Sequence, residues 1–198
     1  MRHMMSVCVA LLAVLTAAAA PVCAEEDFHR YNQVEDYDQY FRKYSKRFFG
    51  PGFDWRFFKA QAIAESRLDL KAKSHVGAEG LMQIMPTTFE EIRSKLDYIK
   101  GSPLEPRWNI AAGVYYDRNL WKTWKARRPF QDRMSFTFGS FNAGKGNVLR
   151  AQKIAAQEEL NPNLWGSIQV TLPKVTGRQS GETIHYVDNI FEIKEVLR

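Results

Sequence analysis

Apolar residues recur at helical spacing along most of this chain, so the pattern predicts a mostly helical protein. Between positions 34 and 48, large apolar side chains stand three or four residues apart, which is typical of an amphipathic helix. Further helices are expected at residues 54–67, 87–96, 107–124, 133–141, 147–159 and 182–197. Residues 68–85 and 161–181 lack this periodicity and contain glycine or proline, so we expect loops there, with a short extended segment in the first.

Local signals predict where several of these helices begin or end. Asp54 is a good N-cap for helix 54–67, and Thr87 with Glu90 matches a capping box for the next helix. Residues 142–146 are rich in Asn and Gly, which predicts a sharp turn. The chain is long enough for one compact domain with a sizeable core.

The first 24 residues are typical of an export signal. Arg2 is followed by an apolar run over residues 7–20, and Val22-Cys23-Ala24 offers small residues to a signal peptidase. The apolar run is too short to span a bilayer comfortably, so we expect cleavage after Ala24. An uncleaved anchor helix is the alternative.

Cysteine and charge exclude several classes of function. Both cysteines, Cys8 and Cys23, lie in the expected signal segment, so the mature chain has no thiolate nucleophile and no disulfide. His29, His75 and His185 lack the spacing of metal ligands, so no metal or cofactor is expected. The net charge is +6, but the basic clusters are short and match no nucleic-acid-binding motif. As a binding partner of an exported basic protein, an anionic polymer of the cell envelope fits better than nucleic acid. Most individual lysines are explained by solvent-exposed helix faces.

One carboxylate in an apolar helical stretch is the first candidate for chemistry. Glu65 lies in the last turn of predicted helix 54–67, where the helix dipole raises the pKa of a carboxyl group. Apolar surroundings raise the pKa further by desolvation, which suits a general acid in glycoside cleavage. A solvated glutamate near a helix end is the ordinary alternative.

Four separated segments resemble, in order and spacing, the motifs of the soluble lytic transglycosylase domain. They are residues 62–66 (AIAES), 74–86 (SHVGAEGLMQIMP), 140–144 (SFNAG) and 182–187 (ETIHYV), and residues 106–116 resemble a fifth. The similarity covers residues 54–198, so we expect a catalytic domain there, with residues 25–53 as a helical extension packed on it. The resemblance implies a lysozyme-like fold of class α+β, mostly α, in a single helical domain with a glycan-binding groove.

The resemblance also implies a reaction in which Glu65 is the single catalytic residue. Glu65 protonates the glycosidic oxygen between N-acetylmuramic acid and N-acetylglucosamine, then removes a proton from the muramyl 6-hydroxyl, which closes a 1,6-anhydro ring. The acetamido oxygen of the substrate supports the cationic centre, so no second carboxylate is required. A hydrolytic muramidase and a catalytically weak peptidoglycan-binding accessory protein remain open alternatives.

The resemblance assigns substrate-binding roles to Ser74, Gln83, Met85, Phe141, Asn142, Glu182 and Tyr186. By this assignment Ser74 hydrogen-bonds the catalytic carboxyl, Gln83 contacts sugar, and Tyr186 reaches the acetamido group. Each has a structural alternative: Ser74 and Asn142 as turn residues, Gln83 as a satisfied core amide, Tyr186 as a packing aromatic. The family commonly has tyrosine where this chain has Phe141, so a hydroxyl expected near the substrate is missing.

The implied substrate is the glycan strand of peptidoglycan, and the implied location is the periplasm. We expect a monomer that binds no nucleic acid, and an envelope-spanning machine is left open as a partner.

Overall fold

A computed structural model describes residues 27–198, and the expected export signal, residues 1–24, lies outside the described residues. Within residues 27–198 the chain forms one 3-10 helix, Phe28–Gln33, and nine α-helices. These are α1 Asp38–Phe49, α2 Arg56–Ser66, α3 Pro86–Lys95, α4 Pro106–Thr123, α5 Phe130–Ala143, α6 Lys145–Gln157, α7 Trp165–Thr171, α8 Pro173–Thr176 and α9 Gln179–Val196. The prediction of a mostly helical protein is confirmed.

The β component of the predicted α+β class is reduced to two isolated bridges in this part of the chain. Glu79 pairs in antiparallel fashion with Lys73 and with Ile84, inside the segment between α2 and α3. No strand forms across the described residues, because the glycines and tight turns of this segment interrupt the pairing after single residues. The predicted loop at residues 68–85, with its short extended segment, is confirmed.

Helix α2 lies at the centre of the fold and is buried along most of its length. It packs against α1 and α9, while α4 packs against α1, α3 and α5. Phe58 and Ile63 of α2 are almost fully enclosed, and burying each such side chain contributes about 2 kcal/mol. A helix surrounded in this way is a rigid support for the residues at its C-terminal end.

The predicted loop at residues 161–181 is wrong in its centre, where α7 and α8 form. Trp165, Ile168 and Leu172 stand three and four positions apart and are buried. Packing of these three side chains against the core stabilises the helices, although the segment is too short and too rich in glycine and proline to show a clear helical pattern in its sequence. Pro173 occupies the first position of α8, where its missing N–H costs no hydrogen bond.

Two other boundary predictions also differ from the structure. Helix α3 begins at Pro86 after extended Met85, so Thr87 is inside the helix and does not cap it. Proline at the first helical position replaces the predicted capping box. The predicted turn at 142–146 is shorter than expected, because only Gly144, with φ at 85°, separates α5 from α6.

The segment before α2 packs on the rest of the molecule. Phe41 and Tyr44 of α1 are buried in the common core, and Lys59 of α2 pairs with Asp38 of α1 at 2.7 Å. Asp54 accepts a hydrogen bond from the backbone N–H of Arg56, the first residue of α2. The N-cap residue is Trp55, so the predicted N-cap is one position off, and α2 begins two residues later than predicted. The boundary at residue 54 between a helical extension and a catalytic domain stays a prediction.

Across residues 27–198, every helix is too short or too polar to cross a membrane.

Candidate active site

The C-terminal end of α2 places Glu65 where the chain turns sharply. Arg67 and Leu68 follow with positive φ angles of 55° and 60°, which end the helix. The Ser66 hydroxyl donates to the Leu81 carbonyl at 2.8 Å and so ties this helix end to the following loop. Glu65 is partly exposed, so a ligand can reach this residue although the helix that carries it is buried and rigid.

Tyr186 of α9 is the direct partner of this carboxyl. Its hydroxyl donates a hydrogen bond to Glu65 Oε1 at 2.5 Å, and the Tyr186 side chain is buried. The contact forms because α2 and α9 pack against each other. The predicted approach of Tyr186 to a substrate acetamido group remains untested, whereas its contact with Glu65 was not anticipated.

The environment of Glu65 shifts its protonation toward neutral pH. Burial raises the pKa of Glu65 to about 7, the hydrogen bond from Tyr186 opposes that rise, and the negative charge of Glu182 adds to it. A carboxyl group with a pKa near the working pH is able to donate a proton and later accept one. This is the electrostatic requirement for one residue to act as both acid and base.

Replacing Tyr186 with phenylalanine should raise the pKa of Glu65 by about one further unit, because the lost hydrogen bond favours the ionised carboxylate. NMR titration of ¹³C-labelled glutamate carboxyls measures this shift directly. Tyr40→Phe, on α1, is the matched control and should leave the Glu65 titration in place. An unchanged Glu65 titration in Tyr186→Phe would show that the hydrogen bond does not act on the carboxylate.

Ser74 and Gln83 lie in the loop between α2 and α3, and both hold its shape. The Ser74 hydroxyl accepts from the backbone N–H of Ala78 at 2.9 Å, which is the turn role named as its alternative. The Gln83 amide donates to the carbonyls of Ala72 at 3.1 Å and Gly80 at 2.9 Å. Gln83 is only partly buried, so its side chain is both a brace of the loop and open to solvent.

Asn109 of α4 fixes this loop to the body of the protein. Its fully buried amide accepts from Met82 N at 2.7 Å and donates to the carbonyls of Glu79 at 2.9 Å and Pro103 at 2.8 Å. Gly80 has φ at 76°, and a Cβ there would lie 2.5 Å from Asn109 Nδ2. Sequence reasoning gave Asn109 no separate role, although a polar residue on the buried face of a helix signals such a contact.

Phe141 and Met85 are apolar surfaces beside the loop and the end of α5. The Phe141 ring is partly exposed and stands edge-on to Tyr116, with 5.4 Å between ring centroids. Met85 is 37 % exposed, as expected of a residue open to a ligand rather than of a core methionine. Phe141 itself has no hydroxyl, but the phenol ring of Tyr116 lies directly beside it.

Asn142 and Glu182 connect the end of α5 with the start of α9. Asn142 accepts a hydrogen bond from the Thr183 hydroxyl at 2.7 Å, so it braces these two helices. Glu182 is exposed, one helical turn before Tyr186, and near enough for its charge to act on Glu65. Glu182 and Tyr186 share one side of α9, as their i, i+4 spacing predicts, and the structure brings that side to Glu65, which was not predicted.

Two further polar residues, Gln61 and Asp117, are completely buried behind Tyr186 and were not anticipated from sequence. Their only sequence signal is a polar side chain on an otherwise apolar helix face. The part of the chain that the structure describes contains no cluster of three or more His, Cys, Asp or Glu able to hold a metal ion.

The helical architecture and the helix-borne glutamate define a lysozyme-like protein of the lytic transglycosylase class. A family model of the transglycosylase SLT domain matches residues 39–163, and the chain belongs to that family. The match begins at the second residue of α1 and ends before α7.

Curated relatives and solved structures agree with this membership. Membrane-bound lytic murein transglycosylase F of Shewanella pealeana is 30% identical over 177 residues, covering 84% of this chain and 35% of that protein. The protein of the same name from Desulfosudis oleivorans is 31% identical over 160 residues, covering 74% of this chain and 34% of that protein. The crystal structure of the 70 kDa soluble lytic transglycosylase from Escherichia coli superposes with a TM-score of 0.63 at 26% identity, covering 82% of this chain and 24% of that one. The chain therefore spans about a third of the length of the curated relatives it matches.

Proposed function

We propose that this chain is a peptidoglycan lytic transglycosylase that cleaves the β-1,4 bond between N-acetylmuramic acid and N-acetylglucosamine without water. The observation that carries the proposal is Glu65, a partly exposed residue whose carboxyl has a pKa of about 7 and accepts a hydrogen bond from Tyr186. Membership of the SLT family and the murein transglycosylase names of its relatives support it.

In the proposed reaction Glu65 acts twice. The protonated carboxyl gives its proton to the glycosidic oxygen, and the bond to the anomeric carbon breaks. The resulting carboxylate takes the proton of the muramyl 6-hydroxyl as that oxygen closes the 1,6-anhydro ring. The Tyr186 hydroxyl stabilises the carboxylate between the two steps, because it donates to the charged form.

The proposed glycan-binding groove runs past Glu65 between the loop after α2 and the adjoining ends of α5 and α9. Its proposed contacts are Ser74, Gln83, Met85, Phe141, Asn142, Glu182 and Tyr186. The exposed surfaces of Met85 and Glu182 and the partly exposed amide of Gln83 support this placement. Phe141 and Met85 offer apolar surface to sugar rings, while Gln83 and Glu182 offer polar atoms to their hydroxyl groups.

The location and organisation of the protein are part of the proposal. We propose export by the segment 1–24, a periplasmic site of action and a monomeric catalytic unit of residues 54–198 with residues 25–53 packed on it. The basic net charge supports an anionic cell-wall polymer as the partner.

Hydrolysis by a muramidase mechanism is a second candidate because Glu182 lies close to Glu65. A retaining hydrolase needs a second carboxyl at roughly 5 to 5.5 Å from the acid. Glu182 is the exposed carboxylate whose charge reaches Glu65. If Glu182 were that nucleophile, its removal would end all cleavage.

Mass analysis of muropeptides released from purified sacculi tests the proposed reaction. We expect products with 1,6-anhydromuramyl ends, which are lighter by one water than hydrolysis products. Glu182→Gln should slow their release without abolishing it, since Glu65 and Tyr186 remain. Reducing ends from the unaltered protein, together with complete loss of cleavage in Glu182→Gln, would establish the muramidase instead.

A further inference from the structure

Asp117 of α4 is a fully buried carboxyl whose hydrogen bonds are incomplete as long as it is ionised. Gln61 Nε2 donates to Asp117 Oδ1 at a long 3.4 Å. Asp117 Oδ2 and Gln61 Oε1 are both buried with no hydrogen-bond partner. Two neighbouring side chains, both at 0 % exposure, therefore each carry an oxygen that lacks a donor.

One proton on Asp117 supplies the missing donor. A carboxylate and an amide oxygen are both acceptors, so neither of these two oxygens can pair with the other while Asp117 is ionised. A protonated Asp117 donates its O–H to Gln61 Oε1 while Gln61 Nε2 donates back to Asp117 Oδ1. Burial raises the pKa of Asp117 well above its usual range; the hydrogen bond from Gln61 opposes this rise, and the charge of Glu65 adds to it.

The Gln61 side chain links this pair to the active site. Gln61 interacts with the Tyr186 hydroxyl and opposes the rise that burial causes in the pKa of Tyr186, and that hydroxyl donates to Glu65. If the second N–H of Gln61 donates to the Tyr186 oxygen, one series of hydrogen bonds runs from Asp117 through Gln61 and Tyr186 to the Glu65 carboxyl. Hydrogen bonds aligned in one direction polarise one another and strengthen the last bond of the series.

We propose that Asp117 and Gln61 form a neutral acid–amide pair that positions the Tyr186 hydroxyl as a donor to Glu65. Asp117 is a positioning residue, because it is buried behind Gln61 and Tyr186 and does not touch substrate. Its effect on turnover rests on the proposed role of Glu65, whereas its effect on the Glu65 carboxyl does not.

The titratable groups that interact with this pair come from three helices, and one of them, Tyr116 of α4, has its pKa raised by burial and by the charge of Asp117. Glu65 of α2 faces Asp117, and Tyr186 of α9 lies between Glu65 and the pair. Glu182, also of α9, acts on Glu65 from the exposed side. All of these groups are acidic, so ionisation of Asp117 would add a further negative charge to a site that already disfavours it.

NMR titration of ¹³C-labelled aspartate carboxyls in the whole protein tests the protonation state without any need for turnover. The Asp117 signal is assigned by its disappearance in Asp117→Asn. We expect it to remain in the protonated position at pH 7, when exposed aspartates are fully ionised. An Asp117 signal that titrates in the ordinary aspartate range, near pH 4, would overturn the proposal.

Substitution of Asp117 separates the positioning role from simple burial. Asp117→Asn keeps a donor and an acceptor for Gln61, so we expect an unchanged Glu65 titration and an unchanged pH profile of cleavage. Asp117→Leu removes the pair, so the Glu65 pKa should rise by about one unit and kcat should fall about tenfold with KM retained. A fall in the Glu65 pKa in Asp117→Asn would show that a charged Asp117 had been removed, and would refute the neutral pair.

Asp117→Leu leaves Gln61 unpaired, so the double variant Gln61→Met/Asp117→Leu guards against loss of folding. The two new apolar side chains pack against each other in the core and leave no polar atom unpaired. The folded protein should still show the raised Glu65 pKa, because Tyr186 no longer has Gln61 beside it as a donor. A Glu65 titration equal to that of the unaltered protein would refute the positioning role. Release of reducing ends alongside an intact acid–amide pair would refute only the proposed function.

Discussion

Glu65→Gln is expected to abolish glycan cleavage. A glutamine can neither give a proton to the glycosidic oxygen nor take one from the 6-hydroxyl, so both proton transfers are lost. General acid–base catalysis contributes about 10²–10⁴-fold to a rate, and in the proposed reaction a single residue supplies it in both steps. Muropeptide release from sacculi should therefore fall by at least about 10³-fold.

The same substitution should stabilise the folded protein above neutral pH. The pKa of Glu65 is raised from 4.5 to about 7 in the folded state. The folded protein thus holds a proton that the unfolded chain has lost between these values, and the free energy of unfolding falls as the pH rises through that window. The full pKa shift lowers the free energy of unfolding by about 3 kcal/mol by pH 8. Glutamine at this position does not titrate, so the variant keeps this stability.

Thermal unfolding at pH 4 and pH 8 measures this difference. The Tm advantage of Glu65→Gln should be small at pH 4 and should grow toward pH 8. Glu192→Gln removes an exposed glutamate of α9 and is the matched control, with no pH-dependent advantage expected. Full cleavage activity in Glu65→Gln, or the same pH dependence of Tm in both variants, would contradict the assigned role of this carboxyl.

Asn109→Ala should destabilise the protein by about 3 kcal/mol. The substitution leaves Met82 N–H and the Pro103 carbonyl without their partner inside the fold, while the Glu79 carbonyl keeps only its bond from Ile84 N. Each buried polar group that loses its only partner costs about 1–3 kcal/mol, partly recovered if water enters the gap. The loop that carries Gln83 and Met85 should lose its fixed shape with it.

Urea denaturation measures the stability, and hydrogen exchange at the Met82 amide reports the loop directly. Asn119→Ala is the matched control, since Asn119 is a partly exposed residue of the same helix and its loss should cost no more than about 0.5 kcal/mol. Asn109→Asp keeps the acceptor for Met82 but loses both donors, so it should also be destabilised. Equal stability of Asn109→Ala and Asn119→Ala would show that the amide does not hold the loop.

Much of the helical framework and the identity of the candidate acid could be predicted from local pattern. The periodic apolar positions of α1, α4 and α9 mark buried helix faces, and the helix end after Glu65 falls where expected. Such signals involve residues within one or two turns of each other, so they survive in the linear sequence. The error at residues 161–181 arises because α7 and α8 are too short to show a periodic face.

The hydrogen bonds of the candidate site could not be predicted from local sequence pattern, because they join helices that are far apart in the chain. Tyr186 and Glu65 are 121 residues apart along the chain, and their contact depends on the rotation and depth at which α9 packs on α2. The buried association of Gln61 with Asp117 likewise depends on how α2 and α4 meet. Helix propensity and apolar period specify which face of a helix is buried, but they do not specify which buried polar atoms come within 3 Å of one another. The sequence alone therefore identifies most of the helices and the candidate acid, whereas the packing of distant helices selects the hydrogen-bond partner of that carboxyl and sets its pKa.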